Sequence, residues 1–370
     1  MIRIRNLHEK IRLNRKNFLL SLILSLPLAL FSSAYTEEIQ MSFWKGVKNF
    51  IVYGTFKRGE SESGVLFTIY NGDRYVNPVH VTMRVLLQAE EYLSDYLNLN
   101  LEPYGSPKET AVSITEVADF LIKHYDTETI RGREVVRLDY QFDYPIYDLK
   151  APWYSGMAQG HAAIVFLAAY LVNDNEVYLD YARKSVALFH IPTTAGGVMV
   201  PLEDGSVWLE EYADPKKSFS ETPKVLNGHI FAVDGLFYYW YLTRDPSYRD
   251  LLIKSILAVN DNILKYDTGF WSYYGLKGNY AHAGYHKVHI KQLSRLNSYA
   301  NYLMLEGYEN LPKYFSKFEG YSSLSPLGFL QRMICQRNNL IYIIYISNLF
   351  LFFLLISVCV VKVREKGFRK

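Results

Sequence analysis

The chain has 370 residues, with 40 Lys+Arg against 37 Asp+Glu and a formal charge of +3. The positive charge is concentrated at the ends. Residues 1–17 carry Arg3, Arg5, Lys10, Arg12, Arg15 and Lys16 against Glu9, and residues 362–370 carry Lys362, Arg364, Lys366, Arg369 and Lys370 against Glu365. The body between them is net acidic, which argues against a nucleic-acid partner, because such binding needs a basic surface that releases phosphate counterions.

Both basic ends abut apolar runs. Phe18–Phe31, followed by Ser32, Ser33 and Ala34, reads as a secretory signal over residues 1–34, with an uncleaved anchor as the alternative. Residues 43–76 mix β-branched and aromatic residues with Gly and an Asn-Gly pair, predicting short strands. Val79–Leu97 and Ser113–His124 recur at helical spacing, while Glu134–Leu149 alternates like a hairpin.

After Pro152 the pattern becomes helix pairs separated by strand-like inserts. Met157–Leu171 pairs with Val177–Phe189, and Val225–Leu242 with Tyr248–Leu264. Between the pairs, Gly197–Tyr212 reads as two strands around the Asp204-Gly205 turn. Gly269–Leu276 is a second insert, the stretch after Gly284 begins a helix, and Ile290–Leu305 continues at helical spacing.

The expected fold is mainly α: an α/α toroid, or incomplete α/α barrel, over residues 116–325, with β-hairpin inserts lining a cleft. A small β-containing segment with a helix, residues 43–115, precedes it.

Leu340–Val361 contains 22 residues without a formal charge and ends on the basic tail 362–370. A helix of that length crosses a hydrocarbon layer roughly 30 Å thick, so a transmembrane helix is expected. Positive flanks stay on the cytoplasmic side, which would leave the catalytic body extracytoplasmic, at the cell envelope or in a Golgi or ER lumen. The two cysteines, Cys335 and Cys359, lie beside and inside that run, so the body holds neither a disulfide nor a Cys-based metal site.

Thirty-two tyrosines are the anomaly of composition. Tyr offers a flat apolar face and a polar edge, which suits sugar rings. Three stretches join such aromatics to carboxylates and amides. They are APWYSGMAQGHAA (151–163), WLEEY with VLNGH (208–212 and 225–229), and the run from Tyr266 to Leu293. Gly156 and Gly160, four residues apart, allow close helix approach. His282, His286 and His289 invite a metal, but no Cys or acidic ligand lies nearby and catalytic zinc usually takes three protein ligands. No metal and no cofactor are expected. His286 and His289 read as residues that orient Tyr285 or the neighbouring insert, or that satisfy buried hydrogen bonds.

These blocks, in this order and ending in YDTG and YHKVHIKQL, resemble the D-glucuronyl C5-epimerase family over about Pro152–Leu293 and weakly over Tyr75–Leu86. The resemblance implies an α/α toroid that converts glucuronate within a polysaccharide to iduronate. It implies Glu211 and Tyr285 as the acid/base pair, with Tyr274 as a further active-site phenol. It also implies substrate contacts at Tyr212, Asn227 and Lys277, where animal members carry Arg. Asn227 has a helix cap as its alternative role. A binding role is assigned to Tyr154, Gln159 and His161 of the first block, to His286 and His289, and to Tyr75.

The chemistry is arguable without the family. Inverting a carbon beside a carboxylate removes a proton from one face and returns one to the other, so it needs a base, an acid and donors at the carboxylate. A uronate lyase shares those needs but expels the C4 substituent, and a non-catalytic, membrane-tethered glycan-binding module is the third reading. The expected partners are a glucuronate-containing polysaccharide and the membrane, with a homodimer left open.

Overall fold

The computed structural model describes residues 2–53, 67–70, 72–107, 110–322, 326–335 and 340–367. In chain order these form α1 (Ile2–Tyr53), β1 (Phe67–Tyr70), β2 (Asp73–Val76), α2 (Pro78–Thr82), α3 (Leu86–Tyr96), α4 (Ile114–His124), β3 (Thr127–Ile130) and β4 (Arg133–Val136). Then come α5 (Gly156–Asn173), α6 (Glu176–Ala187), β5 (Met199–Pro201), β6 (Val207–Leu209), α7 (Leu226–Thr243), α8 (Pro246–Asn262), α9 (Ala283–Leu303), α10 (Asn310–Ser322), α11 (Pro326–Cys335) and α12 (Leu340–Gly367). The described chain is mainly helical, and its strands form three separate two-stranded antiparallel hairpins.

Gly46–Ser322 is one compact unit, built on α5 and α7. Both helices are apolar all round, and every residue of α5 from Gly156 to Ala169 is buried. They touch at Gly160, where a Cβ would overlap the Phe231 carbonyl and Ala232, and at Gly235, which meets the Gly160 backbone. Gly156 instead packs against the backbone of Leu209 and Glu210. The expected glycine pair therefore serves two contacts, one with a helix and one with a hairpin. The helices α6 and α8 carry polar faces and pack outside α5 and α7, while α10 packs on α9.

Helix starts follow their caps. Ser113 and Glu116 form a reciprocal capping box on α4, and Ser155, Asn175 and Asp245 accept backbone N–H groups at the starts of α5, α6 and α8. His282 caps α9 by accepting the Tyr285 N–H at Nδ1, so the helix begins at Ala283 and absorbs the segment expected from Ile290.

Several local expectations change. Residues 43–53 continue α1 rather than forming strands; the segment 54–66 lies outside the described residues. Helical N–H groups find their acceptors locally, whereas a lone strand needs a partner. The helix expected over Val79–Leu97 breaks at Met83–Val85. There the Thr82 hydroxyl donates to the Pro78 and Val79 carbonyls, at 3.0 and 3.1 Å, and i→i+3 bonds close the turn.

Glu134–Leu149 is not a hairpin in itself. β4 pairs with β3 across Arg131-Gly132, both at positive φ, as a two-residue turn requires. Residues 140–149 are held by isolated bridges, Tyr140 to Trp153 and Tyr144 to Leu149. Gly269–Leu276 forms bridges rather than a named strand, whereas the Asp204-Gly205 hairpin appears as β5–β6. The helices α2 and α3, expected in a preceding segment, pack directly on α5 in the same unit.

Deeper in this unit, Arg295 of α9 is buried between two carboxylates. Its Nε donates to Asp234 of α7 and its Nη2 to Glu90 of α3, each at 3.2 Å. The hydroxyls of Tyr104 and Tyr299 donate to Asp234 at 2.7 and 2.5 Å. Burial pushes the Glu90 carboxyl up to about 7, against the pull of Arg295.

The second unit comprises residues 1–45 and 323–370. Ala34, Phe329, Tyr342 and Tyr345 form its small core, with Met41, Trp44, Met333 and Ile346 against it. Arg332 donates through Nη1 and Nη2 to the two carboxylate oxygens of Glu37, at 3.2 and 2.8 Å, in a buried two-pronged pair. The apolar runs at Phe18–Phe31 and Leu340–Val361 are each helical. Among the described residues, one helix is long and apolar enough to cross a membrane. It is α5, which is mostly buried, while Leu22–Glu37 and Tyr342–Ile356 are shorter apolar stretches.

Arg295→Leu should lower unfolding stability by roughly 3–5 kcal/mol, because it strands Glu90 and Asp234 without their cation. Urea unfolding of the full chain in detergent, followed by tryptophan fluorescence, measures this. A loss below about 1 kcal/mol, the range of an exposed pair, would show that the network is solvated.

Candidate active site

The start of α7 and the loop after β6 build the centre of the site. Once β6 ends at Leu209, two successive carboxylates turn inward, and both Glu210 and Glu211 are buried. Glu210 accepts the backbone N–H groups of Tyr212 and Lys224, at 3.1 and 3.0 Å, and so ties the two ends of the loop together. Glu211 takes the other direction, against Gly228. A Cβ at Gly228 would overlap the Glu211 carboxylate, so only glycine leaves room for it.

Glu211 is 7% exposed, and its Oε2 has no hydrogen-bond partner among the described residues. Burial pushes its carboxyl up to about 8, the Glu210 charge adds to this, and hydrogen bonds with Tyr212 and Tyr274 work against it. A carboxyl near 8 exchanges protons close to neutral pH, which an ordinary exposed glutamate does not do.

Phenols surround it. Tyr212, Tyr274, Tyr140, Tyr144 and Tyr147 are all raised above the ordinary tyrosine value, by burial first and then by the Glu211 charge, although at Tyr144 a hydrogen bond with Tyr212 that lowers the value outweighs that charge. They are therefore neutral donors at neutral pH. Tyr212 stacks on Tyr144 at 5.4 Å and meets Tyr147 at 4.7 Å and Trp153 at 5.7 Å. On the other flank the Tyr274 and Tyr285 rings lie 4.8 Å apart. Tyr274 comes from the insert between α8 and α9, whose main chain is pinned to α7 by Leu226 N–H donating to the Tyr274 carbonyl at 3.0 Å. The structure thus brings Glu211, Tyr212, Tyr274 and Tyr285 together.

Asn227 is one residue before Gly228, inside α7 rather than at its cap, which is Val225. Its backbone carbonyl accepts from Gln292 Nε2 at 2.9 Å, while its Oδ1 and the Gln292 Oε1 are buried with no partner among the described residues. Both amide atoms of Gln159 are in the same condition. Polar atoms buried and unpaired in this way are where a substrate hydroxyl or an ordered water bonds.

Other expected contacts lie elsewhere. Tyr154 is buried beneath the Arg137 guanidinium, 4.6 Å from the ring centre, and burial raises its phenol against the pull of Arg137. His161 is a core residue, edge-on to Phe231 and 3.3 Å from the Thr82 hydroxyl at Nδ1, with its Nε2 unpaired among the described residues; burial holds its imidazole at about 3. Tyr75 packs on Phe142 at 5.4 Å and lines a separate cavity of about 360 Å³. Lys277 is exposed on its loop, and its charge acts on Glu221 and Lys224, not on Glu211. His286 and His289 are fully buried; protein groups bind both ring nitrogens of His286 and the Nδ1 of His289, while His289 Nε2 has no partner among the described residues. Among the described residues no group of three or more His, Cys, Asp or Glu side chains is disposed to hold a metal ion.

Tyr140, Tyr144, Tyr147 and Gly228 were absent from the residues expected at the site. A signal for the first two lay in the spacing of Tyr140, Phe142 and Tyr144, alternate residues that share one face of an extended segment.

The family model described as the D-glucuronyl C5-epimerase C-terminus matches residues 131–312. D-glucuronyl C5-epimerase of Caenorhabditis elegans is 30% identical over 192 residues, covering 47% of this chain and 30% of the relative. An uncharacterized protein of Methanocaldococcus jannaschii is 26% identical over 184 residues, covering 48% of this chain and 58% of the relative. The matched region contains Glu211, Tyr212, Asn227, Tyr274 and Tyr285, and over it the chain is similar to the D-glucuronyl C5-epimerase family, while spanning less than two thirds of the length of either relative.

Proposed function

We propose that the chain is an epimerase that inverts C5 of D-glucuronate to L-iduronate within a polysaccharide, using Glu211 and Tyr285 on opposite faces of the sugar ring. The observation that carries this reading is a buried carboxyl poised near pH 8 in a ring of neutral phenols.

Ionised Glu211 takes the C5 proton, and the electron pair spreads into the uronate carboxylate as an enediolate. The Tyr285 hydroxyl returns a proton to the opposite face, leaving a phenolate that regains its proton before the next turnover. The bond from C4 to its neighbouring sugar stays intact. Tyr274 and Tyr212 supply hydrogen bonds where charge shifts between Glu211 and substrate. Asn227 and Gln159, with unpaired amide atoms, bind hydroxyls or the carboxylate. Lys277, exposed on the insert, meets anionic parts of the polymer beyond the reacting sugar.

The architecture proposed with this function is an α/α toroid. Its support is the succession α5/α6, α7/α8, α9/α10, with the connecting segments meeting around Glu211. The proposed setting is extracytoplasmic, with α12 as a transmembrane anchor and α1 as a signal or retained anchor. The charge-free run 340–361 and the basic residues at both ends support it.

The decisive test incubates the full chain, in detergent, with oligosaccharides of alternating glucuronate and N-acetylglucosamine in heavy water. Deuterium at C5 without chain shortening is expected, whereas an ultraviolet-absorbing unsaturated uronate would assign β-elimination instead. Glu211→Gln and Tyr285→Phe should each lower kcat by roughly 10²–10⁴-fold, the range for a lost acid or base. A wild-type rate in either variant would remove that residue from the chemistry.

Two pH dependences follow from the raised Glu211. The forward kcat/KM should rise with pH until about 8, as the carboxyl ionises, and the rise should vanish in Glu211→Gln. A folded-state value above the ordinary 4.5 means that the native state holds its proton more tightly than the unfolded chain does. Stability is then fully present below pH 4.5 and declines as pH climbs through about 8. The melting temperature of Glu211→Gln, which cannot ionise, should gain on the wild type between pH 5 and 8, and a constant difference would place Glu211 in solvent.

A further inference from the structure

Two histidines and a serine sit fully buried beside the phenol pair, outside the acid/base chemistry just described. Ser272 belongs to the insert that carries Tyr274 two residues later, and His286 follows Tyr285 directly on α9. The Ser272 Oγ lies 2.7 Å from His286 Nδ1 and 2.9 Å from His289 Nδ1. His286 Nε2 lies 3.0 Å from the Phe318 carbonyl of α10. The Trp271 ring stacks on His286 at 3.8 Å, and its indole N–H donates to the Ala281 carbonyl at 2.7 Å, closing the insert on itself.

Counting hydrogens assigns every proton in this cluster. A carbonyl cannot donate, so His286 carries a hydrogen on Nε2, and as a neutral imidazole it offers a bare Nδ1. That nitrogen must accept the one hydrogen of the Ser272 hydroxyl. The hydroxyl then has none left for His289, so His289 Nδ1–H donates to Ser272 Oγ and its Nε2 is bare. In the structure His289 Nε2 is buried and has no hydrogen-bond partner among the described residues. Burial, then the neighbouring His286 and His282, hold His289 well below its ordinary value; with both imidazoles neutral they are in opposite tautomers, and the serine between them accepts from His289 and donates to His286.

We infer that Ser272, His286 and His289 form a neutral hydrogen-bonded staple that holds the Tyr274 insert against the start of α9 and so sets the spacing of the two phenols. These are positioning residues. The staple lies one residue from Tyr285 and two from Tyr274, whose rings are 4.8 Å apart. It is a buried polar tie between the segments that carry them. Misplacement of a reacting group by about 1 Å can cost on the order of 10²-fold in rate, so a tie at this point acts on turnover rather than on substrate capture. The inference rests on the proposed reading in taking these phenols as part of the reacting site.

Ser272→Ala removes the shared hydroxyl and leaves two buried Nδ1 atoms unpaired. It should lower kcat for C5 deuterium incorporation about 10- to 100-fold, with KM within about 3-fold. In a Tyr285→Phe background the same change should add less than about 3-fold, because a positioning effect has no phenol left to act through. His289→Asn, which keeps an N–H near the Nδ1 place, should retain more of the rate than His289→Leu. A folded Ser272→Ala with wild-type kcat, or one whose full effect adds to Tyr285→Phe, would overturn the staple.

A second measurement needs neither a variant nor turnover. Imidazole ¹⁵N shifts of the wild type at neutral pH should show one buried histidine protonated at Nε2 and another at Nδ1. A shared tautomer, or an imidazolium at either His286 or His289, would overturn the inference. If the wild type incorporates no deuterium at all, the epimerase reading fails, and the ¹⁵N tautomers still decide the staple by themselves.

Discussion

A carboxyl group held out of water is the constraint around which the rest of the site is arranged. Glu211 can be buried only because Gly228 has no side chain, Glu210 is spent on two backbone N–H groups, and phenols rather than apolar rings complete the enclosure. Each condition has a physical reason. A Cβ on α7 would take the volume of the carboxylate, and a second carboxylate free in the same space would raise both groups further. Apolar walls alone would leave no donors for the ionised form. What results is a group that can hold or release a proton near neutrality, surrounded by phenols that keep theirs.

That enclosure depends on the spacing of α5 and α7. Gly160 and Gly235 let the two helix backbones touch, and Gly156 brings the start of α5 onto the end of β6. The segments that precede α5, α7 and α9 then meet in one place. Residues 140–154 contribute Tyr140, Tyr144 and Tyr147, residues 210–224 contribute the carboxylates and Tyr212, and residues 267–281 contribute Tyr274. Farther along α7 and α9, Arg295 ties Asp234 to Glu90 of α3. The rigid part of the unit is thus a set of buried helices, and the chemistry is carried by the segments that lead into them.

Much of this was legible in the residues. The Asp204-Gly205 turn states a local geometry that appears, whereas of the two glycines four residues apart only Gly160 meets a helix. The helix pairs after Pro152 were readable because their period is local. Glu211, Tyr274 and Tyr285 were reachable through ordered motifs, not through any property of a single glutamate or tyrosine. Less legible were the elements whose conformation depends on a distant partner. Residues 43–53 look strand-like in composition yet continue a helix, and 140–149 alternate like a hairpin yet pair with Trp153 and themselves. Tyr154, His161 and Tyr75 sit in or beside matched blocks but point into packing or another cavity.

By itself the sequence determined the family resemblance, the mainly helical character of the chain, the concentration of positive charge at the ends and the order of the polar aromatic blocks. These are properties of neighbouring residues and of composition, which survive without knowledge of contacts. Only the tertiary structure decided that Glu210 binds backbone while Glu211 faces the phenols, that three tyrosines from residues 140–147 join them, and that Ser272 bridges two histidines. Burial and hydrogen-bond partners are set by segments more than sixty residues apart in some cases, as where Gln292 reaches the Asn227 carbonyl. A residue's chemistry in such a site depends on what surrounds it, and the chain acquires those surroundings only when it folds.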